Sequence, residues 1–340
     1  MALRLLGIET SCDETAAAVV EDGTAILSNV VASQTELHAK YGGIYPEMAS
    51  REHVKAIIPV VNQSLAAAHL DWDDLDAVAV TYGPGLPGSL LIGLNYAKGA
   101  ALGRGLDLVP VNHLEGHLYA HWLQTDLEGA ADGDLRFPLV ALIVSGGHTE
   151  LILVHDHGLY ERLGGTLDDA AGEAFDKVAR MLKLSYPGGP AIEAMARRGD
   201  GTAFDLPRAW LNHSYDFSFS GLKTAVLRTL EKYNGPLPQS FYEDMAASFQ
   251  ASVVEVLVEK TAMAAEEFGA RSVLLSGGVS ANMNLRQEAR KRIQVEVYAL
   301  PKVLCTDNAA MIAGAGFYRY QAGDRAGWDL DIKPGLRLAS

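Results

Sequence analysis

The chain has 340 residues, 49% of them apolar and 21% charged, and a formal net charge of −14. That length accommodates two domains, each with a core of its own. The acidic balance excludes a protein coated for nucleic-acid binding, though not a local basic surface. Two cysteines, Cys12 and Cys305, make no disulfide framework and fit a reducing cytosol. The chain opens at once on an apolar strand pattern, without the apolar stretch and cleavage site of a signal peptide. No apolar run reaches the ~18 residues of a membrane span. A cytoplasmic location is therefore expected.

In chain order, residues 3–20 read as strand, turn, strand, with a third strand at 25–33. A Gly-containing loop at Tyr41-Gly42-Gly43 precedes a helix expected over 46–69, where Val54, Ile57, Ile58, Val61 and Leu65 recur at helical spacing. Residues 75–81 form a buried strand. The loop Gly83-Pro84-Gly85-Leu86-Pro87-Gly88-Ser89 then opens a helix over 90–102, and 108–111 is a further strand. A hairpin is expected at 139–144 and 149–154. A helical region follows over 167–249, broken at Tyr186-Pro187-Gly188-Gly189-Pro190 and at Asn234-Gly235-Pro236. A long helix is expected at 245–268, a strand at 272–276, and a helix at 283–291 after Gly277-Gly278-Val279-Ser280-Ala281-Asn282. The loop 124–136 is acidic and rich in Ala and Gly (Asp126, Glu128, Asp132, Asp134), with no role assigned to it.

The two hairpins echo each other. Gly7-Ile8-Glu9-Thr10-Ser11-Cys12-Asp13-Glu14-Thr15 lines up with Leu142-Ile143-Val144-Ser145-Gly146-Gly147-His148-Thr149-Glu150, 135 residues on. Turns of this kind aim successive N–H groups at one point and can hold an anion. Two unrelated hairpins are the bland alternative, but a strand–glycine–helix unit follows both. A duplicated βββαβα unit is the economical description. It is the α/β architecture of the actin, Hsp70 and sugar-kinase superfamily: two lobes with a nucleotide in the cleft between them. Residues 1–110 with 309–326 would form the N-terminal lobe, and 111–308 the C-terminal lobe with its helical insertion at about 167–249. A single doubly wound sheet is the runner-up, and it leaves the paired hairpins unexplained.

His113-Leu114-Glu115-Gly116-His117 begins a helix at a strand end. Histidines four apart share a helix face and suit two ligands of one metal; a pair of satisfied surface histidines is the other possibility. His121, one turn further, is a bystander. A zinc peptidase needs Glu directly after the first His, where Leu114 stands, or directly before the second, where Gly116 stands. Asp307 is the natural third ligand. It also sits where a helix from Ala309 needs an N-cap, and one carboxylate can do both. Cys305 is a weaker candidate for a fourth ligand. The Ser145-Gly146-Gly147-His148 and Gly277–Asn282 turns are candidates for phosphate and adenosine. Glu173, Asp176 and Lys177 share a helical side, either as ribose ligands or as an exposed face. Residues 177–232 hold nine Lys/Arg and five Asp/Glu, a local excess of +4, which is either an RNA surface or ordinary scatter.

Eight ordered motifs resemble the TsaD family of bacterial tRNA N6-adenosine threonylcarbamoyltransferases, and they span residues 3 to about 317. They are Ile8-Glu9-Thr10-Ser11-Cys12-Asp13-Glu14-Thr15, Tyr82-Gly83-Pro84-Gly85-Leu86, His113-Leu114-Glu115-Gly116-His117 and Val144-Ser145-Gly146-Gly147-His148-Thr149. With them come Gly172-Glu173-Ala174-Phe175-Asp176-Lys177, Tyr186-Pro187-Gly188-Gly189-Pro190, Phe217-Ser218-Phe219-Ser220-Gly221-Leu222-Lys223-Thr224 and Cys305-Thr306-Asp307-Asn308. The resemblance implies transfer of the threonylcarbamoyl group of threonylcarbamoyl-AMP to N6 of adenosine 37 in tRNAs reading ANN codons. The product is t6A, and AMP is released. It implies one divalent metal, Fe2+ or alternatively Zn2+, on His113, His117 and Asp307. It implies donor binding by Ile143, Val144, Ser145, Gly146, Gly147, Asp176, Gly189 and Asn282, and catalytic positions at Asp13, Glu14 and His148. It implies TsaB and TsaE homologues as partners, and leaves monomer and homodimer open. A metal-dependent peptidase and a sugar-kinase-like or Hsp70-like ATPase are the competing activities. Metal content, AMP release and steady ATP hydrolysis separate the three.

Overall fold

The apolar runs become the strands of two five-stranded sheets with the same strand order. In a computed structural model, residues 2–124, 135–233 and 235–339 are described. The acidic loop residues Asp126, Glu128, Asp132 and Asp134 lie outside them. The chain divides into two units, Met1–Asp132 with Leu300–Ser340, and Gly133–Ala299. Residues 111–124 and 300–308, which the sequence suggested for the second lobe, fall within the first unit. Residues 113–122 pack on the last helix of the first unit.

In the first unit, β1 (Arg4–Glu9), β2 (Glu14–Glu21) and β3 (Ala25–Ser33) form an antiparallel meander. After α1 (Thr35–Ala39) and α2 (Pro46–Ala67) come β4 (Ala77–Gly83), α3 (Pro87–Arg104), β5 (Asp107–Asn112) and α4 (His113–Tyr119). The order is β3-β2-β1-β4-β5, with β4 parallel to β1 and β5 parallel to β4. Pro87 at the first turn starts α3 three residues before the expected position, since its missing N–H is one the helix start leaves unpaired anyway. Leu5, Leu6 and Ile8 of β1 are wholly buried, each contributing roughly 1.5–3 kcal/mol. That gain lets the strand end on a buried charge.

The second unit repeats the plan. β6 (Leu139–Val144), β7 (Thr149–Asp156) and β8 (Leu159–Gly165) form the meander. The helices α5 (Ala171–Met181), α6 (Gly188–Ala196), α7 (Ser220–Glu231) and α8 (Gln239–Glu267) follow, then β9 (Ser272–Ser276), α9 (Met283–Arg292) and β10 (Glu296–Ala299). The order is β10-β9-β6-β7-β8, with β9 parallel to β6 and β10 parallel to β9. The strands β8 and β10 had no clear sequence signal, β8 being half exposed and β10 only four residues long. The long helix starts at Gln239, six residues before its expected start.

The chain then returns to the first unit with α10 (Lys302–Cys305) and α11 (Ala309–Gln321). The last helix lies so close on β1 that a Cβ at Gly7 would stand 2.3 Å from the Ala309 carbonyl oxygen and 2.7 Å from the Ala313 nitrogen. This approach brings the residue before α11 to the carboxyl end of β1. No helix among the described residues is long and apolar enough to cross a membrane.

Candidate active site

In the first unit, parallel β1, β4 and β5 end at one edge, where ligands of open α/β sheets bind. His113 follows β5 directly, and the Asn112 side chain caps α4 by accepting from Leu114 N at 2.8 Å. His113 and His117 stack one turn apart, with ring centroids 4.7 Å apart and planes at 78°. The α4 helix presses on α11 through Gly116, where a Cβ would stand 2.7 Å from Ile312 Cδ1. That contact places Asp307 Oδ1 3.3 Å from His117 Nε2 and 3.6 Å from His113 Nε2. One ligand atom from each of the three lies within 4.8 Å of the others, and both histidines are buried. Two imidazoles and a carboxylate that converge in this way suit a divalent transition metal.

The expected second task of Asp307 falls to its neighbour. Asn308 caps α11, its Oδ1 accepting from Met311 N at 3.1 Å. Cys305 is outside the group of three, with its thiol donating to the carbonyls of Leu300 and Pro301. His121 lies in the next turn, outside the group of three. Glu115 pairs with Arg319 of α11 and is not part of the group either.

Glu9, which the motif comparison left without a task, ends β1 wholly buried. His113 Nδ1 is 2.9 Å from Glu9 Oε2 and 3.1 Å from Ser11 Oγ. Thr81 Oγ1 donates to the same Glu9 oxygen at 2.7 Å, and Ser11 N donates to the other. Burial pushes the Glu9 carboxyl up, but the charge and hydrogen bond of His113 outweigh it, so the group lies below the usual range. Burial likewise opposes charge on His113, yet Asp307 and Glu9 lift its pKa to about 9.

The turn after Glu9 carries Asp13 and Glu14, and it is tied down from two helices. Leu86 N donates to Ser11 O at 2.8 Å, and Ser89 Oγ to Cys12 O at 3.2 Å. Buried His53 of α2 donates from Nε2 to Cys12 O at 3.0 Å and accepts from Thr15 Oγ1 at 2.8 Å. Burial lowers the His53 pKa, which matches this neutral tautomer. Burial, with the charges of Asp13 and Asp307, raises Glu14 to about 10. Burial also pushes the Cys12 thiol well up, with Asp13, Asp307 and Glu14 adding to it, so Cys12 is no thiolate nucleophile.

In the second unit the corresponding edge is built from backbone. Ser145 N donates to His148 O at 2.8 Å, and His148 N to Ser145 Oγ at 3.1 Å, closing the hairpin turn. Ile143 and Val144 are wholly buried strand residues, so only their backbone is available to a ligand. Gly172 N, at the start of α5, bonds Ser145 O at 3.1 Å. Asp176 Oδ1 accepts from Gly188 N at 2.6 Å and so fixes the start of α6 beside α5. Gly277, at φ +84°, lies against β6: a Cβ there would stand 2.5 Å from Val144 O. The turn at Ser145–His148, the starts of α5 and α6, and the Gly277–Asn282 turn therefore gather at one edge.

A Cβ at Gly146, Gly147 or Gly189 would meet no protein atom within 4 Å beyond its chain neighbours. The packing around these three positions does not by itself require glycine. Asn282 caps α9 and donates to Gln250 Oε1 at 2.8 Å, so its amide is already engaged at both ends. Glu173 and Lys177 pair with each other at 2.7 Å, and Lys177 also holds Asp169. The basic stretch is largely neutralised. Lys177, Arg198, Arg208 and Lys223 pair with carboxylates from outside it, and Arg197 with Glu193.

The sequence model of TsaD, described as tRNA N6-adenosine threonylcarbamoyltransferase, matches residues 25–314. A protein of that name from Thermomicrobium roseum is 56% identical, over 99% of this chain and 97% of its own length. One from Symbiobacterium thermophilum is 55% identical, over 98% and 96%. Among solved structures, HypF of T. kodakarensis superposes with a TM-score of 0.62 at 14% identity, covering 95% of this chain and 48% of its own. Component A of the Acidaminococcus fermentans (R)-2-hydroxyglutaryl-CoA dehydratase does so at 0.53 and 16%, covering 94% and 98%. At such identities the likeness shows the fold alone, and it is the actin- and Hsp70-like architecture expected from the duplicated hairpins. With relatives above half identity along nearly its whole length, the chain belongs to the TsaD family of tRNA N6-adenosine threonylcarbamoyltransferases.

Proposed function

We propose that the chain transfers the threonylcarbamoyl group of threonylcarbamoyl-AMP to N6 of adenosine 37 in tRNAs that read ANN codons, forming t6A and releasing AMP. The observation that carries this is the group His113, His117 and Asp307 at the carboxyl edge of the first sheet, in a chain of this family. These three residues would hold one divalent metal, Fe2+ or Zn2+. Bound there, it would supply a Lewis acid for the oxygens of the donor. The donor is a mixed carbamoyl–phosphate anhydride and is already activated. No covalent enzyme intermediate is needed, in keeping with the protonated Cys12. The bond from N6 to the carbamoyl carbon forms, the carbon–oxygen bond to phosphate breaks, and AMP leaves with its electron pair.

The residues of the chain orient these partners and move the proton. Asp13 takes the proton that N6 loses. Glu14, protonated at neutral pH because its pKa stands at about 10, is the hydrogen-bond donor of that pair. The backbone of Ile143, Val144, Ser145, Gly146 and Gly147, together with His148, Asp176, Gly189 and the Asn282 turn, takes up the adenylate. Partners are TsaB and TsaE homologues in the cytoplasm. The test is reconstitution: unmodified tRNA, threonylcarbamoyl-AMP and the purified chain, with and without the two partner homologues. AMP release matched by t6A in digested tRNA is the expected outcome. Steady ATP hydrolysis by the chain alone, without t6A, would favour the ATPase instead.

A further inference from the structure

We infer that Glu9 is the positioning residue of the metal centre: its carboxylate holds the His113 imidazole in the tautomer and ring orientation that turns Nε2 toward Asp307. The inference rests on the metal assignment proposed above. His113 has two ring nitrogens, and the structure gives them different partners. Nδ1 faces Glu9 Oε2 at 2.9 Å, and Nε2 faces Asp307 Oδ1 at 3.6 Å. A carboxylate oxygen accepts, so Nδ1 carries a hydrogen, and Nε2 is the nitrogen whose lone pair a metal would take in place of a proton.

Glu9 is itself held on every side. Thr81 Oγ1 donates to Oε2, and Ser11 N donates to Oε1. The supports are strand residues in fixed register: Ile8 pairs with Val80 across parallel β1 and β4, which sets Glu9 beside Thr81. The next parallel strand, β5, runs straight into His113. A site built on strand ends holds its geometry better than one on loops.

The choice of a charged group is informative. Glu9 is 0% exposed, and an isolated buried carboxylate is among the most costly groups a core can carry. A neutral amide would also accept an N–H. What the carboxylate adds is negative charge on the far side of the ring, which makes the imidazole a stronger metal ligand and fixes its orientation. A merely structural bridge between β1 and β4 has no need of that charge.

The test uses the full chain and Zn2+ as probe, with affinity measured by competition against a chromophoric chelator. Glu9→Gln is expected to weaken Zn2+ binding by about 10–100-fold. In the Zn2+-loaded unchanged chain, nitrogen-edited NMR should show a hydrogen-bonded proton on His113 Nδ1, and this signal should move or broaden in Glu9→Gln. Thr81→Val keeps the carboxylate and removes one anchor, so it should weaken Zn2+ binding several-fold in the same direction. His113→Ala tests the metal assignment separately and should abolish tight binding. If Glu9→Gln unfolds at lower temperature yet binds Zn2+ as the unchanged chain does, while His113→Ala does not, the positioning role is overturned and the metal centre stands. If His113→Ala binds Zn2+ undiminished, the metal assignment fails and takes this inference with it. Should Glu9→Gln fail to fold, Thr81→Val decides: unaltered affinity and an unaltered Nδ1 proton overturn the inference.

Discussion

Both units send a six-residue strand into a turn and an eight-residue second strand, then add two parallel strands on the same side. The edges where these strands end are chemically unlike. In the first unit β1 closes on Glu9, a buried carboxylate; in the second β6 closes on Val144, a buried aliphatic. The pairing differs too. Glu9 pairs with Ala16, enclosing residues 10–15, whereas Val144 pairs with Thr149, enclosing only 145–148. The wider turn displays Asp13 and Glu14; the tighter one displays glycine backbone. One frame, used twice, thus ends in carboxylate side chains on one copy and in glycine backbone on the other. A duplicated sheet fixes where chain ends converge, and the residues placed there decide what the edge does.

The largest effect should come from emptying the side-chain edge. His113→Ala with His117→Ala should strip the metal and lower transfer by at least roughly 100-fold, since even outer-shell changes cost 10–100-fold. Metal analysis of the purified double variant checks it, and full metal content would break the contrast between the units. Asp13→Asn should reduce transfer by about 10²–10⁴-fold while donor binding, measured calorimetrically, stays as it was. Unchanged transfer would move the base elsewhere.

The backbone edge is probed by Gly146→Val, whose Cβ would stand in open space. It should leave the unfolding midpoint nearly unchanged and weaken donor binding about tenfold, or roughly 1.4 kcal/mol. Gly277→Val, strained at φ +84° and pressed on Val144, should instead destabilise the fold. If the two variants behave alike, the open space at Gly146 is not a ligand site.

Glu14 supplies a pH signature. Its folded pKa of about 10 lies above its ordinary value of 4.5. Between those values the folded chain keeps a proton that the unfolded chain releases, so stability falls as pH rises through the window. Glu14→Gln should flatten that fall; urea unfolding at about pH 5.5 and about pH 8.5 measures it. The smallest effect is expected at Asn308→Ala, about 1 kcal/mol for the lost cap of α11, with a modest loss of Zn2+ affinity because Asp307 is its neighbour.

Local patterns made much of this legible. Each repeated hairpin, the His113–His117 pair and each glycine turn lie within about twenty consecutive residues, and short-range periodicity and turn chemistry report on such distances. Glu9 left a trace that was readable in principle: a charge closing the run Leu5-Leu6-Gly7-Ile8. Its partners Thr81 and His113 are 72 and 104 residues away, beyond the reach of any local signal. The division of labour between Asp307 and Asn308 was hidden for another reason. Both residue types cap helices equally well, and only the packing of α11 on β1 decides which one faces the histidines.

The sequence by itself determined the strands other than β8 and β10, their hairpin order and the duplicated plan, because apolar spacing and turn residues act over a few neighbours. Only the tertiary structure decided that Glu9, His113, His117 and Asp307 share one edge, that Glu115 turns to Arg319, and that Asn282 is taken up by the fold. Those outcomes depend on register between distant strands and on how closely helices approach through single glycines, which is settled when the whole sheet packs.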